Sequence, residues 1–153
     1  MLYPSNLEEK IGFDKIKLAI RKKCTGEFGQ SYVDNIKFSS DFELIKKLLN
    51  QTDEFVRILQ SDLPFPGGEY YNIRKHLVKA SKIDAYLSDE EFHELKLTLS
   101  KTEDLLKFFK KYHDPFEHLT LLTVGIYLNP QLLYSINKVV DESGKIRNSA
   151  SDE

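Results

Sequence analysis

Cysteine is almost absent from this chain, and that removes two kinds of chemistry at once. With Cys24 the single thiol among 153 residues, neither an internal disulfide nor a cysteine-built metal centre is available. A dominant sign of charge is missing too. Lys and Arg number 22 against 24 Asp and Glu, for a formal net charge of −2, so no global field draws the chain to nucleic acid or to an acidic membrane. Any anionic partner must be met by a local patch. No apolar run approaches the roughly 20 residues needed to span a bilayer. The start, Met1-Leu2-Tyr3-Pro4-Ser5-Asn6, lacks the basic-then-apolar layout of a signal peptide. A soluble, cytoplasmic chain is the expectation. Phosphate-cradling glycine loops are also lacking: Gly144-Lys145 has no upstream glycine at P-loop spacing, and Gly67-Gly68 follows prolines in a loop.

What is present is helical periodicity. A hydrophobic content of 41% in a chain of this length suits one domain with a real core. Asn6 and Glu9 open a helix expected to reach about Lys23, with a break invited at Gly12. Its apolar face is Phe13, Ile16, Ile20 and Cys24. A shorter helix follows from about Glu27 to Asn35, with Phe28, Tyr32 and Ile36 inward. Ser40-Asp41-Phe42-Glu43 reads as a capping box for a third helix. There Phe42, Ile45, Leu49, Thr52, Val56 and Leu59 repeat at spacings of three and four. Leu63-Pro64-Phe65-Pro66-Gly67-Gly68 ends it. A fourth helix is expected from about Asn72 to Lys82, and Ser88-Asp89-Glu90-Glu91 caps a fifth that runs to about Tyr112.

Phe92, Leu95, Leu99, Thr102, Leu106 and Phe109 of that fifth helix match the stripe of the third, position by position. Internal duplication is one account; the plainer one is that any two core-facing helices can be overlaid this way. On either account the pair is expected to form the spine of the fold. A short helix near 116–123 and another opened by Asn129-Pro130 complete the set. Val139-Val140 and Lys145-Ile146-Arg147, flanking an Asp/Ser/Gly turn, read as a hairpin. The expected class is all-α: a multi-helix bundle with two long packed helices and a short C-terminal β-hairpin.

Few residues point to chemistry. In His113-Asp114-Pro115-Phe116-Glu117-His118 the two histidines do not share a helical face, so a zinc-dependent hydrolase is the weakest reading and a histidine facing water the plainer one. His76 and His93 stand alone on their helices, as surface or boundary residues. Cys24 has Arg21, Lys22 and Lys23 nearby, yet its place on the apolar stripe marks a structural thiol. No catalytic, cofactor-binding or metal-ligating residue is assigned. The candidate nucleic-acid contacts are Arg74, Lys75, Lys79 and Lys82, on one edge of the fourth helix, where lysines can meet phosphates without reading sequence. Lys107, Lys110 and Lys111 form a second cluster. Tyr70-Tyr71, beside the Pro/Gly loop, suggests an aromatic anchor for a protein partner and hence a helical adaptor as the alternative function.

Several segments, taken in order, carry a resemblance. They are Leu7-Glu8-Glu9-Lys10-Ile11-Gly12-Phe13-Asp14-Lys15-Ile16, Phe38-Ser39-Ser40-Asp41-Phe42-Glu43 leading to Gln51-Thr52-Asp53-Glu54, and Pro66-Gly67-Gly68 before Asn72-Ile73-Arg74. Leu87-Ser88-Asp89-Glu90-Glu91 and the run from Asp141 to Ser151 complete them. Together these resemble the N-terminal part of the MutS-like proteins of the second bacterial paralogue group. Asn148 departs from a common aspartate there, and Asp152 from a frequent proline.

The resemblance implies a core, or lever, domain segment over 1–138. The hairpin and the start of a truncated clamp helix would occupy 139–153, with Ser151-Asp152-Glu153 as the helix cap and first turn. It also implies that the chain is a piece of a longer protein whose ATPase and nuclease domains lie outside it. That parent would be a homodimeric ATPase using ATP and Mg. It would bind double-stranded or branched DNA, restrain homologous recombination and, in some members, rescue collided ribosomes. Membranes play no part. The segment itself would carry no catalysis and would couple the ATPase to the DNA clamp.

Overall fold

The computed structural model describes residues 6–68, 70–141 and 144–147. These form eight α-helices and two 3-10 turns, grouped in two compact units, Met1–Lys46 and Lys47–Glu153. The mainly helical class is as expected.

In the first unit the chain turns at Gly12, whose φ of +75° suits a residue without Cβ. The expected single helix is therefore two, α1 (Leu7–Lys10) and α2 (Phe13–Lys23), followed by α3 (Glu27–Asp34). The α2 and α3 helices pack on each other. Val33 is the buried residue between polar ties, Arg21 Nε to Asp34 Oδ1 at 3.0 Å and Lys17 Nζ donating to the Ile36 carbonyl at 3.1 Å. The expected inward residues Ile16, Ile20, Phe28 and Tyr32 are exposed instead.

Asp41, rather than Ser40, caps α4 (Phe42–Gln60): its Oδ1 accepts the Leu44 N–H at 3.1 Å, while Ser39 Oγ accepts the Asp41 N–H. The buried face of this helix is not the apolar stripe. Glu54 and Ile58 are buried and Asn50 and Gln51 half-buried, whereas Phe42, Ile45, Leu49, Val56 and Leu59 all face outward, Leu49 at 64% exposure. Next come α5 (Arg74–Ala80), α6 (Asp89–Lys111), α7 (Glu117–Thr120) between 3-10 turns, and α8 (Pro130–Val139). Ser88 and Glu91 form the reciprocal capping box expected for α6, and Asn129 caps α8 by accepting the Gln131 N–H at 3.0 Å.

The stripe of α6 behaves as expected: Leu95 and Phe109 are buried and its other members half-buried. The core of the second unit is Ile58, Phe108, Phe109, Phe116 and Leu119, with Leu63, Phe65, Leu105 and Tyr112 packed against it. Phe65 meets Phe108 and Phe108 meets Phe109 edge-to-face, at centroid separations of 5.3 and 5.4 Å. The Pro-rich loop thus does more than end a helix; it inserts Phe65 into the core. The two long helices do not form a side-by-side spine. The α6 helix packs on α8 and α7, and α4 joins it through Ile58 in the aromatic cluster.

A second expectation also fails. No strand forms among the described residues, and the C-terminal hairpin reduces to one antiparallel bridge between Val140 and Ile146. The reason lies in where α8 ends. The bridge is flanked by the Arg147 N–H donating to the Val139 carbonyl at 2.8 Å and the Asp141 N–H donating to the Lys145 carbonyl at 2.9 Å. The ladder runs no further back because the residues before Val140 are held in α8, whose last turn the Val140 N–H closes on the Ile136 carbonyl. Lys96 Nζ takes the Val140 and Asp141 carbonyls at 3.1 and 2.9 Å, satisfying acceptors just past the helix end. The turn residues 142–143 and the expected clamp-helix start at 151–153 lie outside the described residues.

Candidate functional site

Among the described residues of the second unit the buried charged side chain is Glu54, 3% exposed on the inner face of α4. Its Oε1 accepts the His118 backbone N–H at 3.0 Å and the His118 ring Nδ1–H at 2.7 Å, while Oε2 accepts the Leu119 N–H at 2.8 Å. The carboxylate therefore satisfies two amides in the first turn of α7, where the helix leaves donors without internal partners. Burial alone raises the Glu54 carboxyl, but the His118 and Leu119 amides and then the His118 ring outweigh it, holding it below the usual carboxylate range. On the other side of the ring, Nε2 lies 2.9 Å from Asn50 Nδ2. With Nδ1 donating to a carboxylate, Nε2 is the acceptor, a tautomer assigned by its partners.

This arrangement has the look of a base oriented by an acid, yet its chemistry is spent internally. Both carboxylate oxygens and both ring nitrogens are engaged, so no atom is free to take a substrate proton. It is a staple joining α4 to α7. His118 does not simply face water, as the sequence suggested; its partners stand 64 and 68 residues away. His113 pairs with the exposed Asp114 at 3.1 Å. No group of three or more His, Cys, Asp or Glu among the described residues converges as a metal ion requires.

The basic edge divides. Lys79 is tied to Glu91 at 2.6 Å and its Nζ lies 6.0 Å from the centroid of the Tyr86 ring, so it is half-buried and neutralised. The Lys79 contact, followed by the Ser88 N–H, lowers the Glu91 carboxyl. His76 joins the same network, with Nε2 at 2.7 Å from Glu94 and Nδ1 at 3.8 Å from Glu91; it does not stand alone. Arg74, Lys75 and Lys82 remain exposed without an ion-pair partner among the described residues. Since α5 ends at Ala80, Lys82 lies in the turn that follows the helix rather than on it. In the second cluster Lys107 pairs with Glu103 at 3.0 Å and Lys111 covers the Tyr112 ring.

The tyrosine pair is half-buried. Tyr70 OH donates to the Pro66 carbonyl at 3.2 Å under Lys101, and the Tyr71 N–H reaches Thr98 Oγ1 at 3.3 Å. Cys24 is half-buried, its Sγ 3.5 Å from the Ile20 carbonyl. Two apolar cavities flank α6. One of about 480 Å³ lies among Leu77, Phe92, Leu95 and Ile136, and one of about 270 Å³ among Leu106, Ile126, Tyr127 and Leu133; Leu99 and Leu132 line both.

ATP and Mg, which the resemblance implies for a longer protein, do not fit the glycine-containing pairs Gly67-Gly68 and Gly144-Lys145. Gly68 lies against the Lys101 ammonium and opens no helix, and Gly144, at φ +85°, lies against the His93 ring. Neither presents a run of free amides at a helix start, which a phosphate cradle needs.

Sequence reasoning missed Asn50, Glu54, Lys96 and Phe65. For the first two a signal existed: Asn50, Glu54 and Ile58 recur every four residues, a second row apart from the apolar stripe. Nothing local marked Lys96, whose acceptors lie 44 and 45 residues further on.

No family model matches the chain, and no solved structure matches it. Curated relatives do. A Geobacillus protein (strain WCH70) named Endonuclease MutS2 is 27% identical over 143 residues, 92% of this chain. Proteins of the same name from Caldanaerobacter subterraneus and Enterococcus faecalis are 29% and 27% identical over 147 and 146 residues. The chain spans 18% of the length of each of these relatives. Across nearly all of its own length, then, this helical chain is related to proteins named Endonuclease MutS2.

Proposed function

We propose that this chain is the N-terminal helical lever segment of a MutS2-like DNA-processing protein. It serves as a stiff structural part, while ATP hydrolysis and nuclease action belong to other regions of such a protein. The supporting observation is the likeness to Endonuclease MutS2 proteins across 92% of the chain. The interlocked aromatic core and the Glu54–His118 staple suit a part that must transmit displacement without deforming, because close-packed interiors have low compressibility. Coupling of an ATPase to a DNA clamp, and through it the restraint of recombination or the rescue of collided ribosomes, is the role that fits such a segment.

The exposed residues Arg74, Lys75 and Lys82 make phosphate contacts in this reading, with Lys79 a positioning residue held by Glu91. Fluorescence anisotropy with a labelled four-way junction, beside a linear duplex of equal length, tests it. Weak binding that fades with added salt is expected. The variant Arg74→Glu/Lys75→Glu/Lys82→Glu should lose it, and replacing those residues by glutamine should lower the salt slope by up to about 3. Junction binding that is indifferent to these substitutions refutes the assignment of the contacts, and absence of binding at low salt refutes DNA contact by this segment.

A further inference from the structure

The α5 helix is held in place by polar ties more than by packing. It is 7 residues long, well short of the roughly 12–15 that a helix needs to persist alone in water, so it depends on what it docks against. Yet none of its residues is fully buried. Leu77 and Val78 are more than half exposed, and Leu77 and Ala80 line the cavity of about 480 Å³ instead of a filled core. Two side chains reach across to α6: Lys79 pairs with Glu91 at 2.6 Å, and His76 Nε2 lies 2.7 Å from Glu94 Oε2.

His76 is the unusual member of this pair. An ionised carboxylate only accepts, so Nε2 carries the proton and a neutral ring leaves Nδ1 as a bare lone pair, a tautomer assigned by its partner. That nitrogen is buried, has no hydrogen-bond partner, and faces Glu91 Oε1 at 3.8 Å. A lone pair turned towards a carboxylate is unfavourable. A second proton converts the same geometry into a donor facing its acceptor, with the ring bridging two carboxylates. Glu91 is ionised where histidines charge, because the Lys79 contact and then the Ser88 N–H hold its carboxyl low. The charged groups facing the ring are Glu91 and Glu94 of α6 and, through Glu91, Lys79 of α5 itself; no other ion pair or hydrogen bond reaches the ring among the described residues.

We infer that His76 is a proton-operated strap. Doubly protonated, it ties α5 to both Glu91 and Glu94; neutral, it leaves α5 freer to open from α6. The added bond exists only while α5 is docked, so docking strengthens as pH falls through the histidine range and weakens as pH rises. The strap stands apart from the DNA reading. Only its consequence for Arg74 and Lys75, which ride on α5, rests on that reading, and the test uses no DNA.

Amide hydrogen exchange of the whole chain between about pH 5.5 and about pH 8, corrected for the intrinsic rate at each pH, tests it. The amides of residues 77–81 should be about tenfold better protected at the acid end, the scale of one ionic hydrogen bond between partly buried groups. Amides around Phe108 and Phe109 should not follow, since Glu54 stays ionised throughout this window. His76→Gln keeps a donor for Glu94 but takes up no proton, and should abolish the step. Should that variant lose α5 altogether, the parent decides: the step must coincide with the titration of His76, read by NMR of its ring nitrogens. Protection of α5 that is flat across the range overturns the inference. So does a step that survives His76→Gln, or one that does not track the His76 ring.

Discussion

Replacing Glu54 by alanine strips the staple of its acceptor. The His118 and Leu119 amides, at 3.0 and 2.8 Å from the carboxylate, are left buried without partners, and the His118 ring loses its 2.7 Å contact. An unpaired buried donor costs about 1–3 kcal/mol, so the two stranded amides together cost roughly 3–5 kcal/mol. We therefore expect Glu54→Ala to destabilise the second unit by about 3–5 kcal/mol. Against a total stability of roughly 5–15 kcal/mol for a domain this is a large effect. With an m value of about 1.5–2 kcal/mol per molar urea, the midpoint should fall by roughly 2 M.

Glu54→Gln keeps one acceptor oxygen and should lose about half as much. Urea titration followed by near-UV circular dichroism is the assay, since Tyr112 packs on Phe108 at 4.8 Å in the same core and reports that packing. The pH dependence has a definite sign. The fold holds the Glu54 carboxyl below its ordinary range, so its stabilisation is complete above that range and is lost as pH falls through the depressed value. Glu54→Gln should flatten this acid limb. A Glu54→Ala midpoint within about 0.5 kcal/mol of the parent, the size of an ordinary surface change, refutes the staple.

Other substitutions separate the two faces of α4 and test its neighbour's cap. Ile58→Ala, at a site 1% exposed, should cost about 2–5 kcal/mol, whereas Leu49→Ala in dilute protein should stay within about 0.5 kcal/mol. The reverse order in urea unfolding would show that the stripe, not the face with Glu54 and Ile58, is buried. Ser88→Ala removes the side chain that accepts the Glu91 N–H and should lower stability by about 1 kcal/mol, read as a drop in thermal midpoint. An unchanged midpoint would mean the capping box contributes nothing.

How legible this protein is depends on the range of the forces involved. Gly12, Ser88 with Glu91, and Asn129 with Pro130 each act within a turn or two of chain, so the breaks and starts of α2, α6 and α8 could be read directly. The stripe of α6 was readable as well, because α7 and α8 lie on the side it presents. The same reasoning failed for α4. Periodicity reveals which face is most apolar; it says nothing about what is present to cover it.

The site followed the same rule. The exposed Arg74, Lys75 and Lys82 were visible as a basic patch, but the neutralisation of Lys79 by Glu91 needed α5 and α6 to be brought together. His118 was visible and its acceptor Glu54, 64 residues earlier, was not. A hairpin was suggested by β-branched residues around a turn, and shrank to one bridge because α8 holds the residues before Val140 in helix. Sequence alone therefore determined the break at Gly12 and the starts of α6 and α8, because capping and glycine effects are local. Tertiary structure alone decided which faces are covered and which polar groups are paired, because those outcomes depend on partners that chain order does not place side by side.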